Sequence, residues 1–294
     1  MSAASDSLPG RRRTRAMRLW DWSVPPTGVA HREILTVEPV SASGRPPLLF
    51  VHGVAHGAWC FAEHWLSAAA ERGFSASAVS LRGHGGSGGA AQLGRATSRA
   101  YVHDIMQAIT ELPEPPVLVG HSMGAVLSQL VAERYPVRGL VLLTPAPAHG
   151  AWGTLAHTLR RRPADALAVL AGRTMPMRPE LLFTGLEAGE AKRLASRTGR
   201  ESPVAQYELL RRRRIGPVRC PVLVVGTPDD RLVRIDDVER TAAMYGVEAQ
   251  WLSGMGHDVM LDAGWERALD LVLDWVDVEV PPGTPALGPI RQSR

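Results

Sequence analysis

Short apolar runs recur along the chain, separated by longer stretches with helical spacing. Pro47-Leu48-Leu49-Phe50-Val51, Leu140-Val141-Leu142-Leu143 and Pro221-Val222-Leu223-Val224-Val225 carry no polar alternation at all. A run of four or five apolar residues without a polar face suits a strand buried on both sides, as in a parallel sheet covered by helices. The pattern predicts strands over residues 48–51, 75–81, 140–143, 222–225 and 249–252, with a further one leading in from Val117. Helices are predicted over residues 64–72, 98–112 and 265–276. Strands alternating with helices imply an α/β protein with a mostly parallel sheet and helices on both faces. No internal repeat is present.

The alternation breaks over residues 149–216, which read as helical throughout, with Pro163, Pro176, Pro179 and Pro203 as breakpoints. Strand runs flank this stretch, so it is expected to be an inserted helical cap over the C-terminal edge of the sheet, where open α/β sheets bind ligands. The core is then residues 31–148 together with 217–280, preceded by a poorly ordered segment 1–30 and followed by a disordered tail 281–294. Trp152, Met175, Met177, Phe183 and Tyr207 are candidates to line the cap's inner face, although each is read as ordinary packing between cap helices.

The run Val117-Leu118-Val119 passes into Gly120-His121-Ser122-Met123-Gly124 and then into helix-compatible Ala125-Val126-Leu127-Ser128-Gln129-Leu130. A strand joined to a helix by one tight turn leaves its middle residue strained and outward-facing, and only small residues fit beside it. The helix start also favours negative charge at that spot. Ser122 is therefore the candidate nucleophile. Gly85-Gly86-Ser87-Gly88-Gly89 fits the same five-residue pattern, but it has no apolar run before it and no helical pattern after it, so Ser87 is read as flexible loop.

A nucleophilic serine needs a base, and the base needs an orienting acid. Nine of the ten histidines lie at or before His157, and His257 follows the strand predicted over 249–252, in the glycine-rich Gly254-Met255-Gly256-His257. The acid should follow a buried strand. Thr227-Pro228-Asp229-Asp230-Arg231-Leu232-Val233 offers Asp229 and Asp230, and the segment after Leu143 offers no carboxylate. Asp230 is preferred for its Asp-x-aliphatic-Val continuation, with Asp229 left to cap the turn. The loop His52-Gly53-Val54-Ala55-His56-Gly57 can turn a backbone amide into the site. The backbone N–H groups of Val54 and Met123 are the candidate oxyanion donors. His52 and His56 stand four apart as metal ligands can, but no helix aligns them, and no metal or cofactor is expected.

Together, His52-Gly53…Gly57-Ala58-Trp59, Arg82-Gly83-His84-Gly85-x-Ser87, Gly120-His121-Ser122-Met123-Gly124, Asp230 and His257 resemble the α/β-hydrolase superfamily, most closely its esterase and lysophospholipase-like members, over roughly residues 30–280. The resemblance implies an α/β-hydrolase sheet and a serine hydrolase cleaving a small carboxylic ester or thioester through a Ser-His-Asp triad. It equally covers acyltransferases, cyclases, lyases and C–C bond hydrolases, and a non-catalytic ligand-binding member is the alternative of another class. One departure is visible: the family commonly has an Asp two residues before its Arg-Gly-x-Gly, where this chain has Ser80.

Composition fits these expectations. The 294 residues are 45% hydrophobic, sufficient for a sizeable core. No apolar run approaches the ~20 residues of a membrane span. Arg11-Arg12-Arg13 is not followed by an apolar stretch, which argues against a secretory or twin-arginine signal. Two cysteines, Cys60 and Cys220, make no disulfide framework and read as buried thiols, so a cytoplasmic location is expected. The net charge is +4, yet of 33 basic residues only Lys192 is a lysine. Arginine-rich composition without interleaved aromatics or a reading motif does not indicate nucleic-acid binding. Arg160-Arg161-Arg162 and Arg211-Arg212-Arg213-Arg214 are read as a solvated basic face rather than as a means of steering an anionic substrate.

Overall fold

The computed structural model describes residues 31–41 and 43–286, so the expectations for residues 1–30 and for the tail beyond 286 lie outside the described residues. The chain enters through β1 (Ile34–Val37) and β2 (Leu48–Val51). It continues through the short α1 (Trp59–Ala62), α2 (Trp65–Glu71), β3 (Ala76–Val79), α3 (Ser98–Glu111), β4 (Val117–His121), α4 (Met123–Ala132) and β5 (Gly139–Leu143). Five helices come next: α5 (Trp152–Arg161), α6 (Pro163–Leu170), α7 (Pro179–Leu182), α8 (Ala188–Ala195) and α9 (Pro203–Leu210). The chain returns to the sheet with β6 (Val222–Gly226), α10 (Ile235–Met244), β7 (Gln250–Trp251) and α11 (Trp265–Glu279).

The strands form one seven-stranded sheet in the order β1-β3-β2-β4-β5-β6-β7. Only β1 is antiparallel, pairing Ile34 with Val79; every other pairing is parallel. The period-two geometry of a strand divides each apolar run between two cores. Leu48, Phe50, Val117, Val119, Val141 and Val225 face one side, under α2 and α11, while Leu49, Val51, Leu118, Leu142 and Val224 face the other, under α3, α4 and α10. Each fully buried Leu or Val contributes about 1.5–3 kcal/mol relative to exposure, which is why these runs tolerate no polar residue.

Local signals set several helix ends. The Thr97 hydroxyl accepts the Ala100 amide at the start of α3, and Ser202 accepts the Ala205 amide ahead of Pro203 at the start of α9. Chain direction then creates the site. From the interior strand β2 the chain goes to β3 on one side and crosses back to β4 on the other. The loops leaving the C-terminal ends of β2 and β4 therefore diverge, and a crevice opens between them.

Candidate active site

Ser122 sits where β4 becomes α4, with φ 51° and ψ −116°, a conformation L-residues rarely adopt. The turn needs its flanking glycines. A Cβ on Gly120 would lie 2.5 Å from the Gly124 carbonyl oxygen, and one on Gly124 would lie 2.3 Å from that of Val51. The first turn of α4 begins at Met123, so its backbone N–H groups and dipole face the hydroxyl. Across the crevice, Gly53 packs so closely that an added Cβ would lie 3.0 Å from Ser122 Cβ. The loop carrying Val54 thus abuts the serine.

His257 and Asp230 meet over the end of β6. His257 Nδ1 donates to Asp230 Oδ2 at 2.7 Å, and the other carboxylate oxygen accepts the amides of Leu232 (2.7 Å) and Val233 (2.9 Å). Asp229 instead accepts the Gly254 amide at 2.7 Å, pinning the glycine-rich loop that leads to His257. The two aspartates therefore hold different parts of one loop, and only Asp230 bonds the imidazole. Burial weighs against charge on His257, but Asp230 and neighbouring Asp258 outweigh it and raise its pKa above the ordinary imidazole value.

The structure brings Ser122, His257, Val54 and His121 to one wall of a single cavity, of about 850 Å³ including its open mouth. The opposite wall comes from α5, α6 and the segment after α6, including Leu155, Val169, Met175 and Met177. The lining is overwhelmingly aliphatic. Of the five residues weighed for lining, Met175 and Met177 reach the cavity. Trp152 and Tyr207 are exposed, and Phe183 is buried in the sheet's core.

A family model described as the alpha/beta hydrolase family matches residues 48–272. The chain belongs to the alpha/beta hydrolase family. Methylesterase 10 of Arabidopsis thaliana is 37% identical over 109 residues, a match spanning 34% of this chain and 38% of that protein's length. Among solved structures, the monoacylglycerol lipase of Paleococcus ferrophilus superimposes with a TM-score of 0.62 at 19% identity, covering 84% of this chain and 98% of the lipase. The esterase EaEST of Exiguobacterium antarcticum does so with a TM-score of 0.64 at 16% identity, over 84% and 95% of the respective chains. At such identities these structural likenesses are likenesses of fold.

Against this family, the Ser80 departure gains a physical account. The Ser80 hydroxyl accepts the Ala58 amide at 2.8 Å and donates to Glu33 Oε2 at 2.5 Å. Ser80 and Glu33 together place a hydroxyl and a carboxylate where the family commonly has one aspartate. Ser87 is not flexible loop: it is buried, donates to the Ser80 carbonyl at 2.6 Å and accepts the Glu33 amide at 2.8 Å. That hydroxyl is committed to holding β1 to the loop after β3.

Several groups that the sequence did not single out surround the site. Thr144, at φ 38°, donates its hydroxyl to the His257 carbonyl at 3.0 Å, and His121 Nε2 donates to the same carbonyl at 3.1 Å. Burial, reinforced by His257, lowers the His121 pKa to about 3, so this ring is neutral. Asp258, fully buried, takes His56 Nε2 at 3.0 Å and lies 3.6 Å from His121 Nε2. His121, His257 and Asp258 are the one group among the described residues whose ligand-type atoms all lie within 4.8 Å. Asp258 is turned to His56 and His121 to a carbonyl, so hydrogen bonds organise the group. The only available clue was Asp258's place next to His257, which no spacing rule marks. Among the described residues, no helix is long and apolar enough to cross a membrane.

Proposed function

We propose that the protein hydrolyses a carboxylic ester or thioester of a small molecule with an aliphatic acyl or alkyl part, by way of an acyl-enzyme on Ser122. The observation that carries this reading is the convergence of the strained Ser122 and the His257–Asp230 pair on one wall of an aliphatic cavity. Ser122 Oγ attacks the carbonyl carbon and its proton passes to His257 Nε2, while Asp230 fixes the tautomer and stabilises the imidazolium. The oxyanion faces the Val54 and Met123 amides, each worth about 3 kcal/mol of barrier. The tetrahedral species collapses, expelling an alkoxide or thiolate that takes the proton from His257. Water, deprotonated by His257, then attacks the acyl-enzyme and releases the carboxylic acid and free Ser122.

Residues 149–216 act in this reading as a cap that shapes the pocket and excludes water. No cofactor enters any step. A methylesterase, a lipase and an esterase among the similar proteins support ester chemistry as the first assay. Two free cysteines accord with a cytoplasmic setting.

The test is intact mass after exposure to a serine-directed fluorophosphonate. One label is expected on the wild type and on Ser87→Ala, and none on Ser122→Ala, which should fold normally and lose ester turnover by on the order of 10⁴-fold or more. Ester turnover retained by Ser122→Ala would place the nucleophile elsewhere. Ligand uptake without label or turnover would favour a binding protein built on the same fold.

A further inference from the structure

The loop His52–Gly57 contains two histidines whose rings grip consecutive peptide planes in different ways. His52 Nε2 accepts the Leu81 amide at 3.0 Å, so its single proton is on Nδ1, which donates to the Gly53 carbonyl at 2.8 Å. Burial, with His84 alongside, keeps this ring neutral. Fixing the Gly53 carbonyl fixes the direction of the Val54 N–H, because the two groups belong to one planar peptide.

The next peptide is held at both ends. The Val54 carbonyl takes His56 Nδ1 at 2.8 Å, and the Ala55 amide donates to Glu201 Oε2 at 3.1 Å. Ala55 has φ 61°, in the left-handed region, a local strain that surrounding bonds must offset. Its own carbonyl accepts the Gly199 amide at 2.7 Å. Glu201 and Gly199 both come from the connection between α8 and α9, so the helical insertion holds this loop directly.

The charge state of His56 follows from its partners. A carbonyl can only accept, so Nδ1 carries a proton. Nε2 faces Asp258 Oδ2 at 3.0 Å, while the other oxygen of that carboxylate lies 3.6 Å from His121 Nε2, whose proton is directed by the His257 carbonyl. Among the described residues Asp258 Oδ1 has no hydrogen-bond partner, so the carboxylate's one close contact is His56 Nε2, and a second proton there completes an ion pair in the buried site. Burial weighs against that proton, but Asp258 and the Val54 carbonyl outweigh it and raise the His56 pKa, and the Asp258 pKa is lowered in turn despite burial. The rings of His52, His121 and His257 oppose the charge only when they are themselves protonated. Trp59 stacks on His56 at 5.5 Å, with the Arg197 guanidinium 4.2 Å from that indole.

We propose that His56 is held as an imidazolium that binds the Val54 carbonyl and the Asp258 carboxylate at once, and that His56, Asp258 and Glu201 are positioning residues for the Val54 amide. The inference rests on the role given to Val54 above. Asp258 follows His257 in the chain, so one buried ion pair ties the loop bearing the base to the loop bearing the oxyanion donor. Asp258 and Glu201 do not line the cavity, whereas His56 does, beside Val54.

The experiment is ¹⁵N–¹H correlation of the imidazole rings in the full-length protein at about pH 8, above the ~6.5 of a free imidazole. Both ring nitrogens of His56 should be protonated in the wild type and in Ser122→Ala, and only one in Asp258→Asn. In Asp258→Asn, kcat should fall about 10- to 100-fold with KM within about threefold, less than the ~10²–10³ of losing an oxyanion donor outright. Asp258→Glu, which keeps the charge, should recover the doubly protonated ring and part of kcat. A singly protonated His56 in the wild type overturns the proposal even if the variants fail to fold, because that measurement needs no variant. An Asp258→Asn enzyme with the altered ring but unchanged kcat removes the positioning role. Absence of Ser122-dependent turnover removes the reaction, and with it that role, whatever the rings show.

Discussion

The two walls of the cavity are built to different rules. On the sheet side, β2, β4 and β5 are buried along their whole length, and each loop leaving them is fixed by hydrogen bonds among buried groups. On the insertion side, α5 contributes no buried residue, and Trp152, Leu159, Leu167 and Leu170 are exposed. Buried contacts and enclosed hydrogen bonds raise the free energy of local opening, so the sheet side is expected to open rarely and the helices α5 and α6 often. The lesson is a division of labour. The groups that the proposed chemistry needs at fixed distances stand on the rigid wall, and those that meet the variable part of a substrate stand on the wall that can adjust.

Breaking the rigid wall should have the larger effects. Asp230→Asn keeps the shape of the loop but offers an amide to His257 Nδ1, which permits the wrong tautomer; kcat should fall by on the order of 10³–10⁴-fold. Asp229→Asn loses only the charge behind the bond to the Gly254 amide and should cost less than about tenfold. Equal losses in steady-state assays of the two variants would show that loop placement, not imidazole orientation, dominates. A smaller effect concerns pH. Because His257 must be neutral to take the serine proton, and Asp230 and Asp258 raise its pKa against burial, the acid limb of kcat/KM should have its midpoint above 6.5. Removing the stronger raising carboxylate with Asp230→Asn should move that midpoint of the residual activity to lower pH; an upward shift would contradict the sign.

How far the sequence could be read follows the same division. Apolar runs made β2, β4, β5 and β6 legible because burial on both faces leaves an unbroken pattern. The four residues of β1 and the helix α10 were not predicted, since Ile34–Val37 is an edge strand half open to solvent and α10 follows directly on the loop bearing Asp229 and Asp230. Ser122 and His257 were legible from local context, strand to turn to helix for one and a glycine loop after a strand for the other. Glu33, Thr144 and Glu201 were not, because each acts across more than forty residues of chain, as in the Ser80–Glu33 bond with a separation of 47 and the Ala55–Glu201 bond with one of 146. Asp258 stood next to the base, yet only the fold turns it towards His56.

The adjustable wall carries the smallest prediction, and it bears on arginines read from sequence as a solvated face. Arg213 is half-buried and donates to Ser98 Oγ at 2.9 Å, which makes it a packing residue. Arg161 and Arg162 differ: with His157 and Arg231 they line a recess that shares Thr158, Met175 and Leu232 with the aliphatic cavity. Arg162 is paired with Glu180 at 3.0 Å, and Arg231 donates to the Glu180 carbonyl at 2.8 Å. Burial and the nearby Arg161, Arg234 and Arg160 all lower the His157 pKa, so the recess is positive in potential without a protonated histidine. Such a field acts on encounter and is screened within about 10 Å at 0.1 M salt. Arg161→Ala should therefore lower kcat/KM for an ester with a carboxylate or phosphate at its far end by about two- to fivefold at low ionic strength, leave a neutral ester of the same length unchanged, and lose its effect as salt is raised. Equal effects on both esters at every salt concentration would return Arg161 to the solvated face and leave the cavity wall selective by shape alone.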